Sequence, residues 1–266
     1  MKIAHLSDLH FLKRNWNPVH FFSKRWLGNL NSLLSRRIDF DHEKLASLPQ
    51  VLKDQGVSLV LITGDLTTTS YRDEFVIARE FIGKIEALDM EVLCIPGNHD
   101  HYTRRAYQER LFYEYFKSSW DPSIPFTLKE DGVTAKKITE GWTLVGLDTA
   151  CATSWIQSTG YFNPRTEAAL REVLSSIQEN VILINHFPFF QHESPRKVLI
   201  RGEVLNSLIQ EFPQVKIYCH GHTHRKCYAP LSPVILDPGS TAHRKTGGWN
   251  LIHLLPEGPN FKHELV

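Results

Sequence analysis

Cysteine is scarce in this chain: four among 266 residues, at positions 94, 151, 219 and 227. No two of them form a C-x-x-C pair, so neither a zinc ribbon nor a disulfide framework is expected, and reduced thiols in a cytosolic compartment are. Net charge is nearly absent as well. The formal value of +1 implies no nucleic-acid partner on bulk charge, although local clusters still matter. No apolar run approaches the roughly 20 residues needed to cross a bilayer. The N-terminus enters a short apolar stretch and then charged residues, so no signal peptide is expected. Internal repeats, low-complexity tracts and linkers are also missing, which points to one domain over 1–266. What remains is a chain with 42% hydrophobic residues, long enough to bury a sizeable core.

Short runs rich in Val, Ile and Leu read as buried strands at Lys2–Leu6, Ser58–Thr63, Glu91–Ile95, Thr143–Leu147, Val181–Asn185, Lys216–Cys219 and Val234–Leu236. Helical spacing lies between many of them. His42–Gln55 carries Leu45, Leu48 and Leu52. Tyr71–Leu88 carries Phe75, Ala78, Phe81, Ile82 and Ile85. Asn163 and Pro164 are a cap and first-turn pair opening a helix to about Gln178. Asp131-Gly132 and Glu140-Gly141 read as turns between strands. The alternation predicts an α/β protein of layered sheets with helices outside.

The informative residues follow the strands, where ligand sites of open α/β sheets are expected. They are Ser7-Asp8-Leu9-His10, Thr63-Gly64-Asp65, Pro96-Gly97-Asn98-His99-Asp100, Asn185-His186-Phe187-Pro188 and His220-Gly221-His222-Thr223-His224. Each piece alone is commonplace in turns. Five in this order, each after a strand, are not. Two divalent ions roughly 3.5–4 Å apart can clamp a phosphoryl group and activate a water, and they need one anionic ligand in common. Carboxylate and imidazole donors suit Mn²⁺, Fe²⁺, Zn²⁺ or Co²⁺.

With these motifs the chain resembles the calcineurin-like metallophosphoesterase superfamily, from residue 8 to about residue 224. The resemblance implies a four-layer αββα sandwich with two central mixed sheets and metals at the strand ends. It implies one ion on Asp8, His10, Asp65 and His222, and a second on Asp65, Asn98, His186 and His220, with Asp65 as the bridge. Mn²⁺ is the first candidate for both. His99 is implied as a substrate-facing group that steadies phosphoryl oxygens and protonates the leaving group, and Asp100 as its orienting partner or a helix cap. Arg104 and Arg105 follow this loop and either reach an anionic substrate or form a solvated helix face. His101, His224 and His243 are read as surface or supporting histidines. Asp148-Thr149 either supports the site or makes a turn, and Cys219 packs as a small hydrophobe.

Acidic residues are missing altogether between Leu9 and Ile38. The stretch holds Lys13, Arg14, Lys24, Arg25, Arg36 and Arg37 together with Phe11, Trp16, Phe21, Phe22 and Trp26. At about 100° per residue, Phe22, Trp26, Leu27, Leu30, Leu33 and Leu34 share one arc and the basic and polar residues the other. An interfacial helix has this composition; a core-packing helix with a wet face is the alternative. Residues 11–37 are therefore expected to form a basic amphipathic insertion beside the site, with Phe22, Trp26 and Leu30 toward membrane or lipid. The basic, apolar run Arg196–Arg201 is expected to add to that surface.

Phosphoester chemistry beside such a segment is similar to the UDP-2,3-diacylglucosamine pyrophosphohydrolases of lipid A synthesis. That implies a nucleotide-linked lipid substrate and a peripheral place on the inner face of the cytoplasmic membrane. His99 departs from their commonest branch, which has Arg there. A class III cyclic-nucleotide phosphodiesterase, which shares the G-N-H-D form, and an inactive membrane-binding scaffold are the alternatives; the complete ligand set opposes the last.

Overall fold

The structure is a computed structural model, and it describes residues 1–13, 42–153, 157–190, 194–255 and 261–266. Most of the basic segment, including Phe22, Trp26 and Leu30, lies outside the described residues. Phe11, at its start, is buried and packs 5.4 Å from the Phe81 ring.

Two sheets face one another. The first has the order β13-β12-β1-β2-β3, from β1 (Lys2–Leu6), β2 (Leu59–Ile62), β3 (Glu91–Cys94), β12 (Asn250–Leu254) and β13 (Phe261–Leu265). The second has the order β10-β11-β9-β7-β5-β4, from β4 (Val133–Thr139), β5 (Trp142–Leu147), β7 (Asn180–Ile184), β9 (Val215–Cys219), β10 (Lys226–Ala229) and β11 (Val234–Pro238). A two-residue pair, β6 (Gly160–Tyr161) and β8 (Leu199–Ile200), stands beside them.

Side-chain alternation along the strands builds the layers. In β2, Leu59 and Leu61 point into the core between the sheets, where they meet Ile182, Ile184, Ile217 and Leu236. Val60 and Ile62 point the other way, onto α1 (His42–Asp54) and α2 (Arg72–Glu86). In β7 the alternation repeats: Ile182 and Ile184 face inward, and Val181 and Leu183 meet α6 (Pro164–Ser176) and α7 (Gly202–Glu211). Strands buried on both faces read as continuous apolar runs, which is why the sequence marks them clearly. The result is the four-layer αββα sandwich, and each Leu or Ile in the middle layer contributes roughly 1.5–3 kcal/mol by leaving water.

The helices follow the expected spacing. Phe75, Ala78, Phe81, Ile82 and Ile85 form the buried stripe of α2. Asn163 Oδ1 caps α6 by accepting from Thr166 N at 2.9 Å, with Pro164 in the first turn. Glu140-Gly141 does join β4 to β5. Asp131-Gly132 differs from expectation: Gly132, at φ 72°, ends α5 (Leu128–Asp131) rather than turning a hairpin. A left-handed glycine serves either purpose, so the dipeptide alone does not choose.

Strands β1, β2 and β3 are mutually parallel, and so are β5, β7, β9 and β11. Each sheet therefore presents its strand C-termini along one edge, and the motif residues emerge there.

Candidate metal centre

The site is built on strained backbone. Asp8, His10, Asp65, His222 and His224 all have positive φ, between 50° and 68°. L-residues seldom adopt this conformation, and it persists where surrounding structure enforces it. The enforcing contacts are visible: Asp8 N donates to Gly64 O at 3.1 Å and His10 N to Asp65 O at 3.0 Å. Gly221 permits the closest approach. A Cβ there would stand 1.8 Å from Ser7 Oγ and 2.5 Å from Asp8 Oδ2.

Asp8 divides its oxygens between support and function. Oδ2 accepts from Ser7 Oγ at 2.6 Å and from His222 N at 3.1 Å. Oδ1 faces histidines, 3.1 Å from His224 Nε2 and 3.7 Å from His10 Nε2. Asp65 does the same. Its Oδ1 accepts from His99 N at 2.7 Å, while Oδ2 lies 3.5 Å from His186 Nε2 and 3.8 Å from His10 Nε2. One carboxylate oxygen thus sits between two separate histidines, as a bridging ligand requires.

Three sets of donors converge within 4.8 Å: Asp8, His10 and His224; His10, Asp65 and His99; Asp8, Asp65 and His186. His10 and His224 bring their Nε2 atoms to 3.1 Å. His186 Nε2 lies 3.1 Å from Asn98 Oδ1, while its Nδ1 donates to Thr63 O at 2.7 Å. A carbonyl on one ring nitrogen orients the other as a ligand. Lone pairs converging in a buried place are what a cation resolves, so the residues fit metal ions.

The electrostatics agree. Burial would raise the carboxyls of Asp8 and Asp65, but neighbouring histidines outweigh it: His224 foremost for Asp8, His186 and His99 for Asp65. Both stay ionised well below the usual carboxylate range. Burial pulls His186 down, yet Asp65 lifts it to about 9, the mark of a site that attracts positive charge. His222 is held neutral, near 3, by burial and by His186.

The structure rearranges the last motif. His224, read from the sequence as a surface or supporting residue, stands against Asp8 and His10, the place expected for His222. His222 instead lies beside His186, with ring centroids 5.2 Å apart, and its Nε2 contacts Lys197 O at 3.1 Å. His220 turns to Gly221 O at 3.0 Å and to Asp237 Oδ2 on β11 at 3.3 Å. Among the described residues neither His220 nor His222 joins a converging donor set; His222 is the one whose ring lies against His186. The two positive-φ residues redirect the chain after Gly221, so alternate histidines do not share a direction. The signal was present: Gly221-His222-Thr223-His224 is itself G-H-x-H, one step later than the expected register.

Other placements differ too. Asp100 neither orients the His99 ring nor caps a helix. Its carboxylate accepts from the backbone N–H of Leu66, Thr67 and Gly97, at 3.2, 2.8 and 2.9 Å, and pins the β2 and β3 loops together. Burial, and then the Asp65 charge, raise it to about 6. Thr68 O, not Asp100, holds the His99 ring, 2.7 Å from Nδ1. His99 also meets His10 edge-on, with centroids at 4.9 Å, and stacks on Tyr102 at 5.2 Å. Arg104 and Arg105 are exposed on a short helix, α3 (Arg104–Gln108), where Arg105 Nε pairs with Glu109 at 2.7 Å. Arg201 is engaged by Glu167 and by Phe162 O. Among the described residues no helix is long and apolar enough to cross a membrane.

Comparison with known proteins bears on the family and the fold. The sequence pattern of the family described as calcineurin-like phosphoesterase matches residues 1–226. The DNA double-strand break repair protein Mre11 of Nanoarchaeum equitans is 20% identical over 254 residues, 91% of this chain and 67% of that protein. A dimetal phosphatase from Danio rerio superposes with a TM-score of 0.68 at 13% identity, covering 99% of this chain and 95% of that one. The purple acid phosphatase of yellow lupin (Lupinus luteus) seeds gives 0.58 at 13% identity, over 99% and 51% of the two chains. These structures share the fold. A dinuclear donor set at the strand ends of an αββα sandwich, under a sequence pattern that spans most of the molecule, makes this chain a member of the calcineurin-like phosphoesterase family, a hydrolase of phosphoester bonds.

Proposed function

We propose that Asp8, His10, Asp65 and His224 hold one divalent ion and that Asp65, Asn98, His186 and His222 hold the other. The observation that carries this is Asp65 Oδ2, placed between His10 and His186. Oxygen and imidazole donors make Mn²⁺ the first choice, with Fe²⁺, Zn²⁺ and Co²⁺ as alternatives. When bound, such ions polarise the phosphoryl oxygens and acidify a water. The chain's own residues do the rest. Asp8 and Asp65 keep the site anionic, and the carbonyls of Thr63 and Thr68 fix the orientation of His186 and His99. His99 Nε2 steadies phosphoryl charge and delivers a proton to the leaving oxygen.

The substrate is a nucleotide-linked lipid, UDP-2,3-diacylglucosamine, cleaved at its pyrophosphate to a lipid sugar phosphate and UMP at the inner face of the cytoplasmic membrane. The acid-free, aromatic and basic segment after His10 supports this reading, because it directly follows a ligand of the site. A cyclic nucleotide is the second reading, favoured by the retained His99 of the G-N-H-D motif. A hydrolysis screen with Mn²⁺ separates them, comparing UDP-diacylglucosamine, cyclic AMP and an aryl phosphodiester. Preference for the acylated nucleotide supports the lipid reading. Preference for cyclic AMP overturns it. Replacing Phe22, Trp26 and Leu30 by Ser should weaken binding to anionic vesicles and spare the aryl substrate. Loss of aryl hydrolysis together with thermal stability would make the segment a packing helix instead.

A further inference from the structure

The loop carrying Asn98 and His99 leaves the first sheet at the end of β3, whereas His186 and His222 leave the second. Its first-sheet side is well tied. Asp100 takes three backbone N–H groups, and Tyr102 N donates to Ser70 Oγ at 2.7 Å. Toward the second sheet the same loop sends His101. That side chain is fully buried, edge-on to Tyr107 and Phe112, with centroids at 5.3 and 6.5 Å. Neither of its ring nitrogens makes a hydrogen bond among the described residues, a costly arrangement for a buried imidazole. Its Nε2 stands 3.5 Å from Asp148 Oδ2, just beyond hydrogen-bond length.

Asp148, at the end of β5, is held to receive it. Oδ2 accepts from Tyr113 O–H at 2.6 Å and Oδ1 from Ala150 N at 3.0 Å. Burial, and then the Asp148 charge, keep the Tyr113 phenol protonated well above its ordinary value, so it remains the donor. The next residue, Thr149, donates through Oγ1 to Asn185 at 2.7 Å, and Asn185 precedes His186. The His101–Asp148 gap therefore lies between the half of the centre that carries His99 and the half that carries His186.

We infer that His101 is a positioning residue for His99: its Nε2 closes onto Asp148 when the site is loaded, and this contact sets how far His99 stands from the second-sheet groups. Hydrogen bonds of this kind are often long before ligands bind and tighten afterwards. The inference rests on the role proposed for His99, so the wild-type enzyme is assayed first, with Mn²⁺ and bis(p-nitrophenyl) phosphate. A wild type inactive on this diester, on UDP-diacylglucosamine and on cyclic AMP would sink the phosphoesterase reading itself, and a wild type active on only one of them is assayed on that one. Given turnover, H101F keeps the aromatic volume and removes both nitrogens. It should lower kcat roughly 10–100-fold, the scale of a small misplacement, with KM and Mn²⁺ affinity unchanged. H101Q, whose amide offers a donor in the same direction, should stay within about threefold of wild type on this view. D148N should match H101F, and the double variant should be no worse than the poorer single, as residues acting through one contact are coupled. Mn²⁺ affinity by competition titration and the metal-free melting midpoint are recorded beside the rates. A kcat for H101F within twofold of wild type, or a loss that tracks weakened Mn²⁺ binding, would overturn the inference. Should H101F not fold, D148N decides: unchanged kcat overturns it and a matching fall supports it.

Discussion

Replacing His224 with Ala tests the register of the last motif, because the neighbouring His220 gives a built-in contrast. His224 Nε2 lies 3.1 Å from both Asp8 Oδ1 and His10 Nε2, so removing it takes one donor from four around the first ion. Four-ligand sites bind with about 10–16 kcal/mol in favourable cases. A quarter of that is about 3 kcal/mol, or ~10²-fold in affinity. The second ion, on Asp65, Asn98, His186 and His222, keeps its ligands. H224A should therefore bind one Mn²⁺ tightly and one weakly, and should lose less metal-free stability than H220A, since this ring is about a third exposed (35%). H220A should do the reverse. His220 is buried, and its Nδ1 engages Gly221 O and Asp237. Its loss should cost about 1–3 kcal/mol of stability and leave two tight equivalents. Isothermal titration with Mn²⁺ beside melting curves in chelator reads both quantities. If H220A loses a metal equivalent while H224A retains two, the ligand assignment is wrong.

Three further outcomes are expected. H99A should retain both metals and lose ~10²–10⁴ in kcat, the range for a proton-transferring or charge-stabilising group; lost metal, by elemental analysis, would make His99 a ligand. G221A should fail to assemble the site, since its Cβ would fall 1.8 Å from Ser7 Oγ; wild-type metal content and activity would contradict the close packing described. His5 is buried between Thr63 Oγ1 at 2.9 Å and Asn250 Nδ2 at 3.0 Å, and burial, then the nearby His220 and His263, lower its pKa to about 3. A depressed imidazole contributes stability above its ordinary 6.5 that is lost as pH falls through 6.5 toward 3. Urea unfolding in chelator should show about 2 kcal/mol of His5-dependent loss between pH 7 and pH 5, absent in H5Q; equal slopes for the two proteins would refute it.

Much of this molecule was legible before folding, for reasons visible in particular residues. Strands 59–62 and 181–184 are buried on both faces and appear as unbroken apolar runs, 2–6 and 91–94 are apolar but for Lys2, His5 and Glu91, and each of the four is followed by a motif. Strands β10, β12 and β13 were harder: β10 is an edge strand with alternating exposed residues such as Tyr228, and β12 and β13 lie past the last motif. The candidate donors Asp65 and His186 stand alone on their loops, and Asp8, His10 and Asn98 hold distinct places in their motifs, so position marks each of them. Position does not settle His220, His222 and His224, because three histidines at alternate positions offer two registers, and left-handed turns at 222 and 224 decide which rings point inward. Asp100 and His101 were opaque for another reason. Their roles lie in partners far along the chain, Leu66 and Thr67 for one and Asp148 for the other, and no local spacing marks such contacts.

The most direct test concerns the shared carboxylate. Asp65 Oδ2 stands between His10 and His186, so wild-type protein loaded with Mn²⁺ should bind two equivalents and show the electron paramagnetic resonance signature of an exchange-coupled pair. D65A should lose that signature, weaken both equivalents and abolish phosphodiester hydrolysis. Two full-strength, coupled Mn²⁺ ions in D65A, or isolated ions in the wild type, would contradict a two-metal centre bridged by this residue.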